Sequence, residues 1–179
     1  MIGSTYIEFD KATTKGKSLI RTGENPTFGL LIICGINLGL RISDLLQLTF
    51  KQLNSDAITI VEKKTGKTRV LQVNDNIKEV LKYFEDEVNY GLGGHCFVSQ
   101  KGSVYSTQQV NRLIQKHFKG NVSSHSLRKS FGRRVWENHN ESDKALLYLS
   151  EIFNHTSPSV TRKYLGIRAE ELADVYLSL

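Results

Sequence analysis

The sequence predicts an α+β fold, mainly helical, with a small antiparallel sheet of about three strands. Two observations predict it. Most of the chain carries apolar residues at helical spacing between good capping residues. One stretch instead shows two β-prone runs, Ala57 to Glu62 and Thr68 to Val73, around a short turn containing Gly66. A chain of 179 residues suits one domain, and 39% hydrophobic content is enough for a single core.

The elements follow in order. Residues 1–25 are mostly polar, with Lys11, Lys15, Lys17 and Arg21, and read as an irregular basic lead-in. It is either a solvated tail, the favoured reading, or a strap along a phosphate backbone. Pro26 opens a buried helix whose body is Phe28 to Leu38, ended near Gly39. Ser43 is a good N-cap for the next helix, with Asp44 in its first turn and Leu45, Leu46 and Leu48 largely inward. Arg41 therefore sits in a tight connection between packed helices. The hairpin tip carries Lys63, Lys64 and Lys67. Asp75 is expected to cap a helix to about Tyr90, broken by Gly91, Gly93 and Gly94, and Cys96-Phe97-Val98 is the candidate third strand.

Ser106 and Gln109 form a capping box for a helix to about Phe118. Ser123 or Ser124 caps the next, with Leu127, Phe131 and Val135 as its buried stripe. His125 and Arg128, three apart, share another face, which Gly132 leaves open to close approach. Asn138 to Asn140 mark a loop. Ser142 opens a helix with Ala145, Leu146, Leu149, Ile152 and Phe153 inward, and His155 follows at its end. Ser157 and Pro158 start a short helix carrying Tyr164 and stopped by Gly166. From about Arg168 to Leu179 a last helix puts Leu172, Val175, Tyr176 and Leu179 on one side. That stripe either packs on its own core or docks on a neighbouring subunit.

The net charge is +6 and the pI about 9.3, which favours a polyanionic partner such as nucleic acid. Arg112 and Arg133 are candidates to touch phosphates or base edges. Cys34 and Cys96 lie in apolar surroundings and read as reduced core thiols of a cytoplasmic protein. The apolar run from Phe28 to Leu40 is too short to span a bilayer and is internal, so it is no secretory signal. There is no internal repeat. The histidines are scattered and no acidic cluster offers magnesium its oxygen ligands, so neither a metal nor another cofactor is expected.

Two arginines, two histidines and one late tyrosine carry the chemistry: Arg41, Arg128, His125, His155 and Tyr164. These are the groups needed to hold a phosphodiester, offset its charge and attack it with a phenolic oxygen. Seven tyrosines are present, and spacing alone does not select Tyr164. The pattern resembles the catalytic domain of the tyrosine recombinases, the phage integrase family. Gly39-Leu40-Arg41-Ile42-Ser43-Asp44-Leu45-Leu46 is similar to the first arginine box, His125-x-x-Arg128 to the second, and His155 with Tyr164 to the third. The resemblance covers about Pro26 to Gly166. It departs at Phe153-Asn154, where the family often has Leu-Gly. It departs again at Lys129, where a second histidine often stands, and in a longer gap around Glu137 to Lys144.

The resemblance implies a site-specific recombinase or integrase, bacterial or phage-encoded, that cuts and rejoins DNA through a 3′-phosphotyrosine without a divalent metal. It implies Tyr164 as nucleophile, Arg41 and Arg128 on the phosphate, His125 in proton transfer and His155 bonding the phosphate. Lys64 donates a proton to the leaving 5′ oxygen, with Lys63 and Lys67 as rivals on the same turn. The implied partner is double-stranded DNA, with a homotetramer in the synaptic complex and a monomer when free. The family's N-terminal DNA-clamping domain is absent, so the chain reads as a catalytic domain, residues 26–179, cut from a longer protein or as a minimal recombinase. A type IB topoisomerase-like enzyme and a non-catalytic DNA-binding module are the alternatives.

Overall fold

The structure, a computed structural model, describes residues 3–86, 88–92 and 94–179. It is mainly helical with a two-stranded antiparallel sheet.

α1 (Phe9–Arg21) corrects the reading of residues 1–25 as irregular. Its buried positions are Ala12, Gly16, Leu19 and Ile20, a helical stripe concealed by two small residues. It packs on α2 (Pro26–Leu38) backbone to backbone: a Cβ on Gly29 would lie 2.6 Å from the Gly16 carbonyl oxygen. α2 is buried all round and capped by Asn25, whose side chain accepts from Phe28 N at 3.1 Å. It ends at Gly39 with φ 59°, where a Cβ would lie 2.4 Å from the Phe131 ring. Only glycine meets both conditions.

α3 (Ile42–Leu45) is a single turn with Arg41, not Ser43, at its N-cap. α4 (Phe50–Leu53) has a Thr49/Gln52 capping box. β1 (Ala57–Val61) pairs with β2 (Thr68–Gln72), Val61 opposite Thr68 and Ile60 opposite Arg69. Cys96 to Val98 does not join them as a third strand. Its backbone bonds elsewhere instead, Cys96 N to Leu48 O and Tyr105 N to Phe97 O, while the Cys96 and Phe97 side chains fill the core. Asn74, not Asp75, caps α5 (Asp75–Leu81). A 3-10 turn (Lys82–Phe84) and α6 (Val88–Gly91) replace the rest of the long helix expected there, and Glu87 and Gly93 lie outside the described residues.

α7 (Thr107–His117), α8 (Ser124–Asn138), α9 (Asp143–Phe153), α10 (Pro158–Leu165) and α11 (Ile167–Leu177) complete the chain. Their caps are Ser106, Ser123, Ser142 and Ser157, with Gly166 between the last two helices. The core has two parts. The larger is built around α2. The smaller gathers Trp136, Ala145, Leu146, Leu149, Phe153, Leu165 and Ile167 from the last four helices. Gly132 allows the close approach expected of it: a Cβ there would lie 2.6 Å from Leu165, so glycine lets α10 close onto α8. Among the described residues no helix is long and apolar enough to cross a membrane.

Candidate active site

The site lies at the seam between the two core parts. Arg128 leaves the first part of α8 and is buried, 4% exposed. It donates to Gly39 O at 2.5 Å and to Phe153 O at 3.1 Å, and its guanidinium lies 4.2 Å from the Phe153 ring centre. Arg41, at the α2–α3 connection, donates to the same Phe153 oxygen at 3.2 Å and to Glu62 Oε2 at 2.8 Å. Two guanidiniums from separate elements thus converge on one carbonyl. Burial lowers Arg128 to about 10, with Tyr164 opposing and Arg41 assisting, so it stays charged at neutral pH.

His155 follows α9 directly. The preceding residue, Asn154, is the left-handed C-cap at φ 52°, the backbone state a glycine would supply and Asn tolerates. His155 Nδ1 lies 2.9 Å from the Oγ1 of buried Thr161 on α10, and its ring stands edge-on to Tyr164 with centres 5.3 Å apart. Burial, then Arg128 and Arg41, hold its pKa down at about 4, so it is neutral at pH 7.

Tyr164, on α10, also packs edge-on against Phe153, and the Lys129 ammonium lies 5.1 Å above its ring centre. Its hydroxyl is buried and has no hydrogen-bond partner among the described residues. Burial raises its pKa, and the pull of Arg128 and Arg41 only partly offsets this. Arg128 acts on that oxygen while its hydrogen bonds go to Gly39 and Phe153. The Arg128 guanidinium is thus the main polar group acting on this phenol, and the two arginines set the charge around it.

His125 sits in the first turn of α8, open to solvent as a residue but with its ring partly covered by neighbouring side chains. Burial of its ring, then Arg128, Lys129, Arg41 and Lys64, lower its pKa and favour the neutral form. Lys64 makes no hydrogen bond or ion pair with a described residue, but its charge reaches His125. Lys67 is committed elsewhere, donating to Asn154 Oδ1 at 2.8 Å. Lys63 is tied through its backbone, which donates to Asp44 Oδ1 at 3.0 Å. All six sequence candidates therefore border one basic region.

Sequence reasoning missed Glu62 and Arg69. Glu62 is 1% exposed and accepts Arg41 and the Thr65 hydroxyl on Oε2 and Arg69 on Oε1, each at 2.8 Å. Burial pushes its carboxyl up, but Arg69, Thr65 and Arg41 outweigh this and hold it at about 2. A signal existed: Ile58, Ile60 and Glu62 alternate on the inward face of the hairpin. Arg133 is not free to read DNA as expected. Its side chain is 9% exposed, pairs with Glu170 at 2.6 Å and stacks on Tyr6 and Trp136. Arg112 is exposed on α7. No group of three or more His, Cys, Asp or Glu among the described residues is placed to hold a metal.

Comparison with known proteins shows the family and the fold. The phage integrase family profile matches residues 29–171. A probable integrase/recombinase, YoeC, of Bacillus subtilis is 31% identical over 153 residues, covering 82% of this chain and 81% of the relative. A tyrosine recombinase XerC of Pelobacter propionicus is 25% identical, over 96% of this chain but 58% of its own length. Against most such relatives the chain spans about half their length. The crystal structure of XerA recombinase superposes with TM-score 0.67 at 20% identity, over 99% of this chain and 64% of that one. A lambda integrase dimer bound to a core site gives 0.65 at 17% identity, over 92% and 49%. With the family's profile spanning most of the chain and a relative 31% identical over about four-fifths of both proteins, the chain belongs to the phage integrase family, as a tyrosine recombinase catalytic domain.

Proposed function

We propose that this domain is the catalytic part of a site-specific DNA recombinase that cuts and rejoins strands through a 3′-phosphotyrosine. The observation that carries the reading is the buried Tyr164 hydroxyl under the influence of two arginines that share one acceptor. A scissile phosphate entering there takes up donors of Arg41 and Arg128 not used on protein oxygens. An arginine has five N–H donors, so each retains several.

The step balances without a cofactor. Tyr164 Oη bonds to phosphorus as its proton passes to neutral His125. The P–O5′ bond breaks, its electrons stay on O5′, and Lys64 supplies the proton that makes the 5′ hydroxyl. His155, neutral and oriented by Thr161, hydrogen-bonds a non-bridging oxygen. Attack by a partner strand's 5′ hydroxyl reverses these transfers. The phosphotyrosine conserves the bond energy, and no divalent metal takes part. The lambda integrase dimer on its core site supports DNA as the partner; assembly of four copies across two duplexes is part of the proposal. The exposed apolar side of α11 is the docking element: Leu172, Val175 and Tyr176 are 53%, 59% and 78% exposed rather than packed on the core.

Incubation with a randomised pool of nicked duplexes, in EDTA, tests this. An SDS-stable adduct on Tyr164, absent in Tyr164→Phe, is expected. No adduct, or one that persists in Tyr164→Phe, rejects the reading.

A further inference from the structure

We propose that Glu62 is the positioning residue of this site, coupling Arg41 to the hairpin turn that carries Lys64, so that the phosphate-gripping and proton-donating groups are set in place together. The inference rests on the recombinase reading above.

Glu62 directly follows β1 and points into the protein with no side-chain exposure. Three donors hold its carboxylate in one orientation. Thr65, the residue after Lys64, bonds Oε2; Arg41 bonds the same oxygen; Arg69, opposite Ile60 in the sheet, bonds Oε1. Its backbone closes the turn as well, its N–H donating to Lys67 O and its carbonyl accepting from Gly66 N. An unbroken path therefore runs from the Lys64 turn through Glu62 and Arg41 to the Phe153 oxygen that Arg128 also bonds.

Charge explains the third arginine. A carboxylate beside Arg41 alone would cancel the charge a phosphate needs. Arg69 takes up one oxygen of Glu62, so two guanidiniums share one carboxylate, and with the Arg128 charge nearby the region stays cationic. Buried ion pairs contribute little net stability and are better at fixing geometry. Held ionised, Glu62 transfers no proton itself; it acts through Arg41 and the turn.

The test uses nicked duplexes recovered as adducts by the wild-type protein from a randomised pool. Single-turnover cleavage is measured on three linkages: the phosphodiester, a methylphosphonate and a 5′-bridging phosphorothiolate. The methylphosphonate lacks the anionic oxygen and relaxes the demand on Arg41. The phosphorothiolate leaves as a thiolate and relaxes the demand on Lys64. Glu62→Gln should slow phosphodiester cleavage by about 10²–10³-fold, the loss of one preorganised donor, and recover in part on both modified linkages. Thr65→Val keeps both arginine pairs and should slow cleavage by about tenfold, recovering on the phosphorothiolate alone. Thermal unfolding checks each fold; if Glu62→Gln fails to fold, Thr65→Val decides. Equal slowing on all three linkages, or none, overturns the inference. A wild-type protein that forms no adduct overturns the recombinase reading and this inference with it, whereas a normal adduct with undiminished variants overturns this inference alone.

Discussion

Lys67 and Asn154, 87 residues apart, meet in a 2.8 Å hydrogen bond that ties the hairpin to the residue just before His155. Asn154 does two things: its backbone ends α9 in the left-handed state, and its side chain takes the lysine. The two are separable by mutation. Asn154→Gly keeps the backbone and loses the bond, and should change stability by about 0.2–1 kcal/mol, the range of exposed charged contacts. Asn154→Ala loses the bond and adds the left-handed cost, about 1–2 kcal/mol further. Urea unfolding of both, with Lys67→Ala completing a double-mutant cycle, checks it. Equal effects of Gly and Ala would show the backbone state to be immaterial.

Gly39→Ala should be far worse than a surface Gly→Ala change. Its φ of 59° and its 2.4 Å approach to Phe131 act together, and its carbonyl is an acceptor for Arg128. Left-handed strain and overpacking predict a loss of about 2 kcal/mol or more. Gly66→Ala, with φ 67° but open space around it, should show the strain alone. Comparing the two variants' denaturation midpoints separates the contributions.

What the sequence alone discloses depends on how local each signal is. The capping residues Ser106, Ser123, Ser142 and Ser157 announce their helices because a cap is a short-range hydrogen bond. Arg41, Arg128, His155 and Tyr164 each sit in a recognisable box, and the seam that gathers them follows from the resemblance. α1 was illegible because Ala12 and Gly16 fill its stripe, and small residues register as contact only when the partner helix is known. Glu62 and Arg69 belong to no box, although the inward phase of Ile58 and Ile60 extends to Glu62. The sharing of the Phe153 carbonyl by two arginines leaves no trace in sequence, since any residue has a carbonyl.

Arg128→Lys should cost both activity and stability. An ammonium cannot reach the Gly39 and Phe153 oxygens together and stack on the Phe153 ring as the flat guanidinium does. A buried carbonyl left unpaired costs about 1–3 kcal/mol. Cleavage in the adduct assay should fall by about 10²–10³-fold, as for loss of a preorganised donor. Retention of wild-type cleavage by Arg128→Lys would remove it from the phosphate site.

Acid should destabilise the domain through His155. Its folded pKa is about 4 against an ordinary 6.5, so between those values the unfolded chain binds more protons. Stability therefore rises with pH across that window and is lost as pH falls through it. His155→Gln, which carries no titrating group, should reduce the rise of the thermal midpoint between about pH 4 and 6.5, the rest coming from groups such as His125 and His117, whose pKa values are also lowered. A wild-type midpoint already flat there would mean His155 is not held neutral.

The apolar side of α11 should matter for assembly and not for folding. Leu172 and Tyr176 are more than half exposed, so neither anchors the core. Leu172→Asp and Tyr176→Asp should leave the unfolding midpoint within about 0.5 kcal/mol of wild type, as surface changes do. Adduct formation on a single nicked duplex should persist, because every side chain of the proposed chemistry comes from the same chain. Sedimentation of the DNA complexes should show loss of the species holding several copies, since two buried carboxylates oppose any contact that covers this face. Intact assembly with both aspartates in place would assign α11 to another role.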